Sequence, residues 1–108
     1  MCIFCKIIEG EIPNKTVFEN EDFLAFEDIN PRAKIHVLII PKNHIDSFDV
    51  MPPKVMQGMT EFIQKVASHL DIKDGGYRLI TNIGQNGNQE VKHIHFHLLA
   101  GEQLGAIN

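Results

Sequence analysis

Three histidines near the end of the chain alternate with apolar residues, in the order His93-Ile94-His95-Phe96-His97-Leu98. In a β-strand alternate side chains share a face, so this pattern lines three imidazoles on one surface and sends Ile94, Phe96 and Leu98 to the other. A single strand histidine is ordinarily a surface residue, or a core residue with its hydrogen bonds met. Three in register, beside the polar loop Gly84-Gln85-Asn86-Gly87-Asn88-Gln89-Glu90, imply that something polar meets them. Two chemistries compete. Imidazole is a common zinc ligand, but His93 and His97 are about 13 Å apart along a regular strand and cannot share one ion. The alternative is nucleophilic catalysis by one imidazole, with its neighbours as acid, hydrogen-bond partner or ligand. Neutral imidazole is plentiful at pH 7 because its ordinary pKa is about 6.5. It attacks phosphorus readily, and the adduct hydrolyses readily.

A second group is Cys2 and Cys5, the two cysteines of the chain, spaced C-x-x-C. One such pair is not a disulfide scaffold. The two thiols either supply half of a tetrahedral zinc site, which needs two further ligands, or remain plain thiols.

The elements that must position these groups follow from periodicity. Ile3, Phe4, Ile7 and Ile8 recur at helical spacing and predict a short helix over residues 3–9, stopped by Gly10 and Pro13. Residues 15–19 and 23–28 read as a hairpin around the Asn20–Asp22 turn. Residues 35–40, IHVLII, form a third and central strand, ended by Pro41. Pro52 and Pro53 suit the first turn of a helix, and Val55, Met56, Met59, Phe62, Ile63, Val66, Ala67 and Leu70 make its apolar stripe. His69 falls on the polar side of that helix and reads as surface. Strands over residues 77–83 and 92–99 complete the order α-β-β-β-α-β-β. The expectation is an α+β fold: a five-stranded, largely antiparallel sheet with one short N-terminal helix and one long helix, the helices on one face.

A chain of 108 residues makes one domain, residues 1–108, with a modest core that a second subunit would help to bury. With 44% hydrophobic and 22% charged residues the composition is that of a globular protein, not a disordered one. Phe occurs seven times and Trp not at all, so Phe builds the aromatic core. A net charge of -4 argues against a surface for nucleic acid. It leaves room for a small phosphate compound, whose single phosphate needs only local donors. No apolar run approaches the roughly 20 residues that cross a membrane. The opening MCIFCKIIEG has no charged leader and no long apolar segment, so no signal peptide and a cytoplasmic location are expected.

The heptad His93-Ile94-His95-Phe96-His97-Leu98-Leu99 resembles the signature of the histidine triad (HIT) family. Three further blocks, Ile3–Ile8, Leu24–Pro31 and His36–Ile45, resemble its nucleotide-binding, HINT-like branch, and the likeness runs from about residue 3 to residue 101. The resemblance implies a HIT-like fold and a purine nucleotide as small-molecule partner. It implies hydrolysis of nucleoside phosphoramidates, such as adenosine 5'-phosphoramidate, through a covalent nucleotidyl-histidine. His95 would be the nucleophile. His97 would contact the phosphate and help the leaving group, with His93 behind them and His36 beside the triad. Asp28 would bind the ribose hydroxyls, Phe4 and Ile29 would pack on the base, and Asn82, Asn88, Gln89 and Glu90 would form the phosphate segment. Glu90 stands where well-known members often carry Ser. A carboxylate there repels phosphate unless protonated or turned outward, which points to the backbone N–H as the useful group. The tail Gly101–Asn108 lacks the Trp-containing ending of some relatives. Catalysis would need no cofactor. A structural zinc held by Cys2, Cys5, His44 and His93 is implied by bacterial relatives and related nucleotidyltransferases. A homodimer is implied too, with sheets joined edge to edge and long helices packed together. Two other readings stay open: a diadenosine polyphosphate hydrolase, and a non-catalytic module that binds nucleotides or proteins.

Overall fold

The computed structural model describes residues 2–106; Ile107 and Asn108, the end of the tail, lie outside the described residues. Helix α1 covers Ile3–Ile8, β1 Thr16–Glu19, β2 Phe23–Glu27 and β3 Ile35–Pro41. A 3-10 turn at Phe48–Val50 leads into α2, Pro53–His69, followed by β4, Arg78–Ile80, and β5, Phe96–Ala100. The five strands form one sheet in the order β1-β2-β3-β5-β4, and every neighbouring pair is antiparallel.

Strands β2 and β3 are apolar on both faces, so both faces need a cover. Helix α2 covers one face. Its Met59, Phe62, Ile63, Val66 and Ala67 pack with Phe23, Ala25, Val37, Ile39, Phe96 and Leu98. Pro53 sits in its first turn, where the missing N–H costs nothing, and Asp71 turns the chain away at φ 57°. Helix α1 lies on the opposite face, where Phe4 joins Leu24, Phe26, Leu38 and Ile40. The expectation of both helices on one face is therefore corrected. Four apolar residues at helical spacing could not reveal which side of the sheet they meet.

The last strand differs from its expected span of 92–99. Its ladder begins at Phe96, which pairs with Ile39 of β3, and the short β4 joins one residue later, pairing Ile80 with His97. Residues 93–95 are held otherwise. Ile94 N–H donates to Ile45 O at 2.7 Å, and Thr81 Oγ1 donates to His95 O at 2.8 Å. The alternation survives without the ladder, with Ile94, Phe96 and Leu98 all in the core under α2.

Phe62 is 1% exposed at the centre of that core. Phe62→Ala is expected to destabilise the protein by about 3–5 kcal/mol, through lost transfer energy and the cavity left behind. Gln64→Ala, on the exposed side of α2, should stay within about 0.5 kcal/mol. Urea denaturation at pH 7 measures both.

Candidate functional site

Four imidazoles run in a row across the face that carries α1. The ring centroids of His95 and His97, and of His97 and His36, are 5.2 Å apart. Phe4 stands edge-on to His95 at 5.1 Å and to His93 at 5.8 Å. His36, His93 and His95 are buried and His97 is half-buried.

Hydrogen bonds set which nitrogen of each ring carries the proton. His95 Nδ1 lies 2.8 Å from His93 O. A carbonyl only accepts, so His95 carries its proton on Nδ1 and keeps a lone pair on Nε2. His36 Nδ1 accepts from Arg32 N–H at 3.1 Å, so neutral His36 holds its proton on Nε2. That N–H points to His97 Nδ1 at 2.9 Å, with Asp28 Oδ2 at 3.4 Å. His97 therefore accepts on Nδ1 and carries its proton on Nε2. Burial is the main reason His36, His93 and His97 stay neutral. It pushes His36 and His93 below the ordinary histidine value, and it pushes His97 down to about 4, helped by the neighbouring His95 and His36.

Two clefts meet at this row. One, of about 520 Å³, is polar and is lined by His95, His97, Arg32, Asn82, Asn88 and Gln89, among others. The second, of about 590 Å³, is mostly apolar, walled by Ile3, Ile7, Phe26, Ile29 and Pro31. Phe4, Asp28 and Leu38 line both and form the seam. Asp28 Oδ1 accepts from Asn30 N–H at 2.8 Å, which fixes the carboxylate at the junction. Ile29 is 91% exposed, as a wall of an open cleft and not as core.

The loop after β4 curls tightly beside the polar cleft. Gln89 N–H donates to Gly84 O at 3.0 Å, and Asn88 adopts φ 62°. A Cβ at Gly87 would sit 2.3 Å from Ile83 O, so only glycine permits the curl. Glu90 is exposed and borders both this cleft and a shallow groove beside Cys2, His44 and Asp46.

His93 turns its ring the other way. His93 Nε2–H donates to Pro41 O at 2.8 Å, leaving the Nδ1 lone pair toward Cys2 Sγ at 3.4 Å and Cys5 Sγ at 3.6 Å. His44 Nδ1 lies 3.3 Å from Cys5 Sγ, while its Nε2 faces Asp46 Oδ1 at 2.9 Å. The four donor atoms of Cys2, Cys5, His44 and His93 lie within 4.8 Å of one another. A tetrahedral zinc with bonds of about 2.1–2.3 Å needs ligand atoms about 3.5 Å apart, so the set fits such an ion. Each ring also has its far N–H on an acceptor, the usual support for a metal-bound histidine. The Cys5 thiol is pushed up from its ordinary value by burial and by Cys2 beside it. A bound cation reverses that direction.

Of the candidate site residues, all but His36 line the two clefts or join the cysteine–histidine cluster, and His36 stands against His97 and Asp28. Arg32 and Asp46 were not foreseen. The His44-x-Asp46 spacing was a readable signal for the second. Arg32 orients His36 through its main chain, for which side-chain type gives no signal.

Comparison with known proteins agrees with this geometry. The family model described as HIT domain matches residues 9–104. A HIT-like protein of Helicobacter pylori is 52% identical over 103 residues, covering 95% of this chain and 99% of the relative. The structure of a HIT family hydrolase from Legionella pneumophila superposes with a TM-score of 0.92 at 42% identity, covering 97% of this chain and 96% of that one. A histidine triad nucleotide-binding protein from Candida albicans gives a TM-score of 0.84 at 35% identity, covering 100% and 84%.

The three depressed histidines set a pH dependence. Below about 6.5 the unfolded chain takes up protons that the folded rings refuse. Their contribution to stability is fully present above that pH and is lost as the pH falls toward the His97 value of about 4. The melting temperature should therefore drop between pH 6.5 and 4, and drop less steeply in His97→Gln. Equal slopes in thermal melts would contradict this assignment.

Proposed function

The chain belongs to the HIT domain family, and from that premise we propose that it is a nucleotide-binding hydrolase that cleaves purine nucleoside phosphoramidates. One observation carries the reading: His95 is held by His93 O so that its Nε2 lone pair is the nitrogen available to the polar cleft. In this reading the base enters the apolar cleft against Phe4 and Ile29. Asp28, at the seam, accepts from the ribose hydroxyls. The phosphate then lies in the polar cleft, beside His95, His97 and the Asn82 and Asn88 amides.

His95 Nε2 attacks the α-phosphorus and the phosphorus–nitrogen bond breaks. The amine departs with a proton taken from water in the open cleft. His97 Nε2–H donates to a phosphoryl oxygen, where charge grows in the transition state. His97 can do this because His36 holds its Nδ1 and because burial keeps it neutral. Water next attacks phosphorus, His95 Nε2 leaves, and a nucleoside monophosphate and one proton are released. Glu90 contributes through its main chain, with its carboxylate toward solvent.

Cys2, Cys5, His44 and His93 would hold a structural zinc. The ion would tie α1 to the chain after β3 and to the triad, with His95 left free for chemistry. A homodimer joined at the β4 edge belongs to the same reading. Leu79 on that edge strand is 42% exposed, which supports it.

His95→Ala should lose at least a thousandfold in kcat on adenosine 5'-phosphoramidate, while circular dichroism stays unchanged. Retained turnover in this variant would overturn His95 as the nucleophile, and AMP binding with no turnover in the unaltered protein would favour a module that only binds. Faster cleavage of diadenosine tetraphosphate than of the phosphoramidate would favour the sister activity. For the metal, a chelator should lower the melting temperature of wild type and leave that of Cys5→Ser unmoved. Sedimentation that shows a monomer at all concentrations would remove the dimer.

A further inference from the structure

The side chain of Gln89 borders the polar cleft, yet its hydrogen-bonding capacity is directed elsewhere. Gln89 Oε1 accepts from Gly84 N–H at 3.1 Å. Gln89 Nε2 donates one hydrogen to Asp46 O at 2.6 Å and the other to Val91 O at 3.1 Å. The main-chain N–H of Gln89 is also taken, by Gly84 O at 3.0 Å. A primary amide has two N–H donors, so none remains for a phosphate. These bonds join three stretches of chain: the start of the loop at Gly84, its end at Val91, and the segment after β3 at Asp46. Asp46 in turn fixes His44 through its carboxylate.

We propose that Gln89 is a positioning residue: it closes the phosphate loop and pins it to the His44–Asp46 segment, without touching substrate. The inference rests on the phosphate binding beside this loop. Loop amides stabilise charge on phosphorus only if their geometry is set beforehand, since a displacement of about 1 Å costs on the order of a hundredfold in rate. Main-chain bonds from Gln89 N–H to Gly84 O and from Asn88 N–H to Gln85 O close the curl but tie it to nothing outside the loop. It is largely exposed, carries two glycines and contains Asn88 in a left-handed conformation. Gln89 replaces the missing ladder with three side-chain bonds to main-chain groups.

Gln89→Met, nearly the same shape with no hydrogen bonds, tests this. AMP and adenosine binding are measured by titration calorimetry, and amide exchange in the free proteins by NMR. The expected result is AMP affinity lower by about 10- to 100-fold, adenosine affinity unchanged, and loss of protection at the Gly84 amide. Equal losses for both ligands would indicate general loosening and overturn the proposal. Loss of AMP affinity with Gly84 still protected would make Gln89 a direct phosphate contact, and would overturn it too. Should Gln89→Met not fold, exchange in the unaltered protein decides: a protected Gly84 amide supports the clasp and a freely exchanging one overturns it. If wild type shows no preference for AMP over adenosine, the proposed function fails, and Gly84 exchange alone then judges the clasp.

Discussion

The hydrogen bond from His95 Nδ1 to the carbonyl of His93 is the constraint on which the rest depends. An imidazole can attack only through a nitrogen that has a lone pair, and a neutral ring has one such nitrogen. A carbonyl partner on Nδ1 decides that it is Nε2. The partner lies two residues back on the same stretch of chain, so the bond exists only while residues 93–95 hold their shape. That shape does not come from a strand ladder. It comes from Ile45 O, from Thr81 Oγ1 and from the buried ring of His93.

His93 thus works at both of its ends. Its carbonyl orients the His95 ring, and its own ring joins Cys2, Cys5 and His44. Phe4, between the two cysteines in sequence, stacks edge-on against both His93 and His95. A structural ion in the cluster would therefore stiffen the active ring through the chain of His93 and through Phe4, with no ligand taken from the cleft. On the other side, Arg32 N–H, His36 and His97 form a directed relay of donors that ends on an N–H at the cleft. Neutrality of these rings is a consequence of burial, and the same burial makes the site sensitive to acid.

Much of this was legible in the chain. The stripe from Val55 to Leu70 marked α2, because eight apolar positions at helical spacing have one structural solution. The His-x-His-x-His alternation put Ile94, Phe96 and Leu98 in the core. The C-x-x-C pair was visible, but His44 entered only through resemblance, since nothing local marks a ligand that is 39 residues away from Cys5. The side of the sheet taken by α1 was not legible, because the apolar spacing of Ile3, Phe4, Ile7 and Ile8 fits either face. Nor was the late start of β5, because residues 94 and 95 bond to Ile45 and Thr81 instead of continuing the ladder. Gln89 shows the same limit in another way. Its residue type suggests an amide for a substrate, and only the positions of Gly84, Asp46 and Val91 reveal that its donors are taken.

The central claim is that His95 Nε2 becomes bonded to phosphorus. The direct measurement is to mix the protein with a nucleoside phosphoramidate, quench within one turnover at alkaline pH, and map the nucleotidyl group by mass spectrometry. The account predicts an adduct on His95 that forms and decays at rates consistent with turnover. An adduct on His97 or His36, or turnover with no adduct at all, would contradict it.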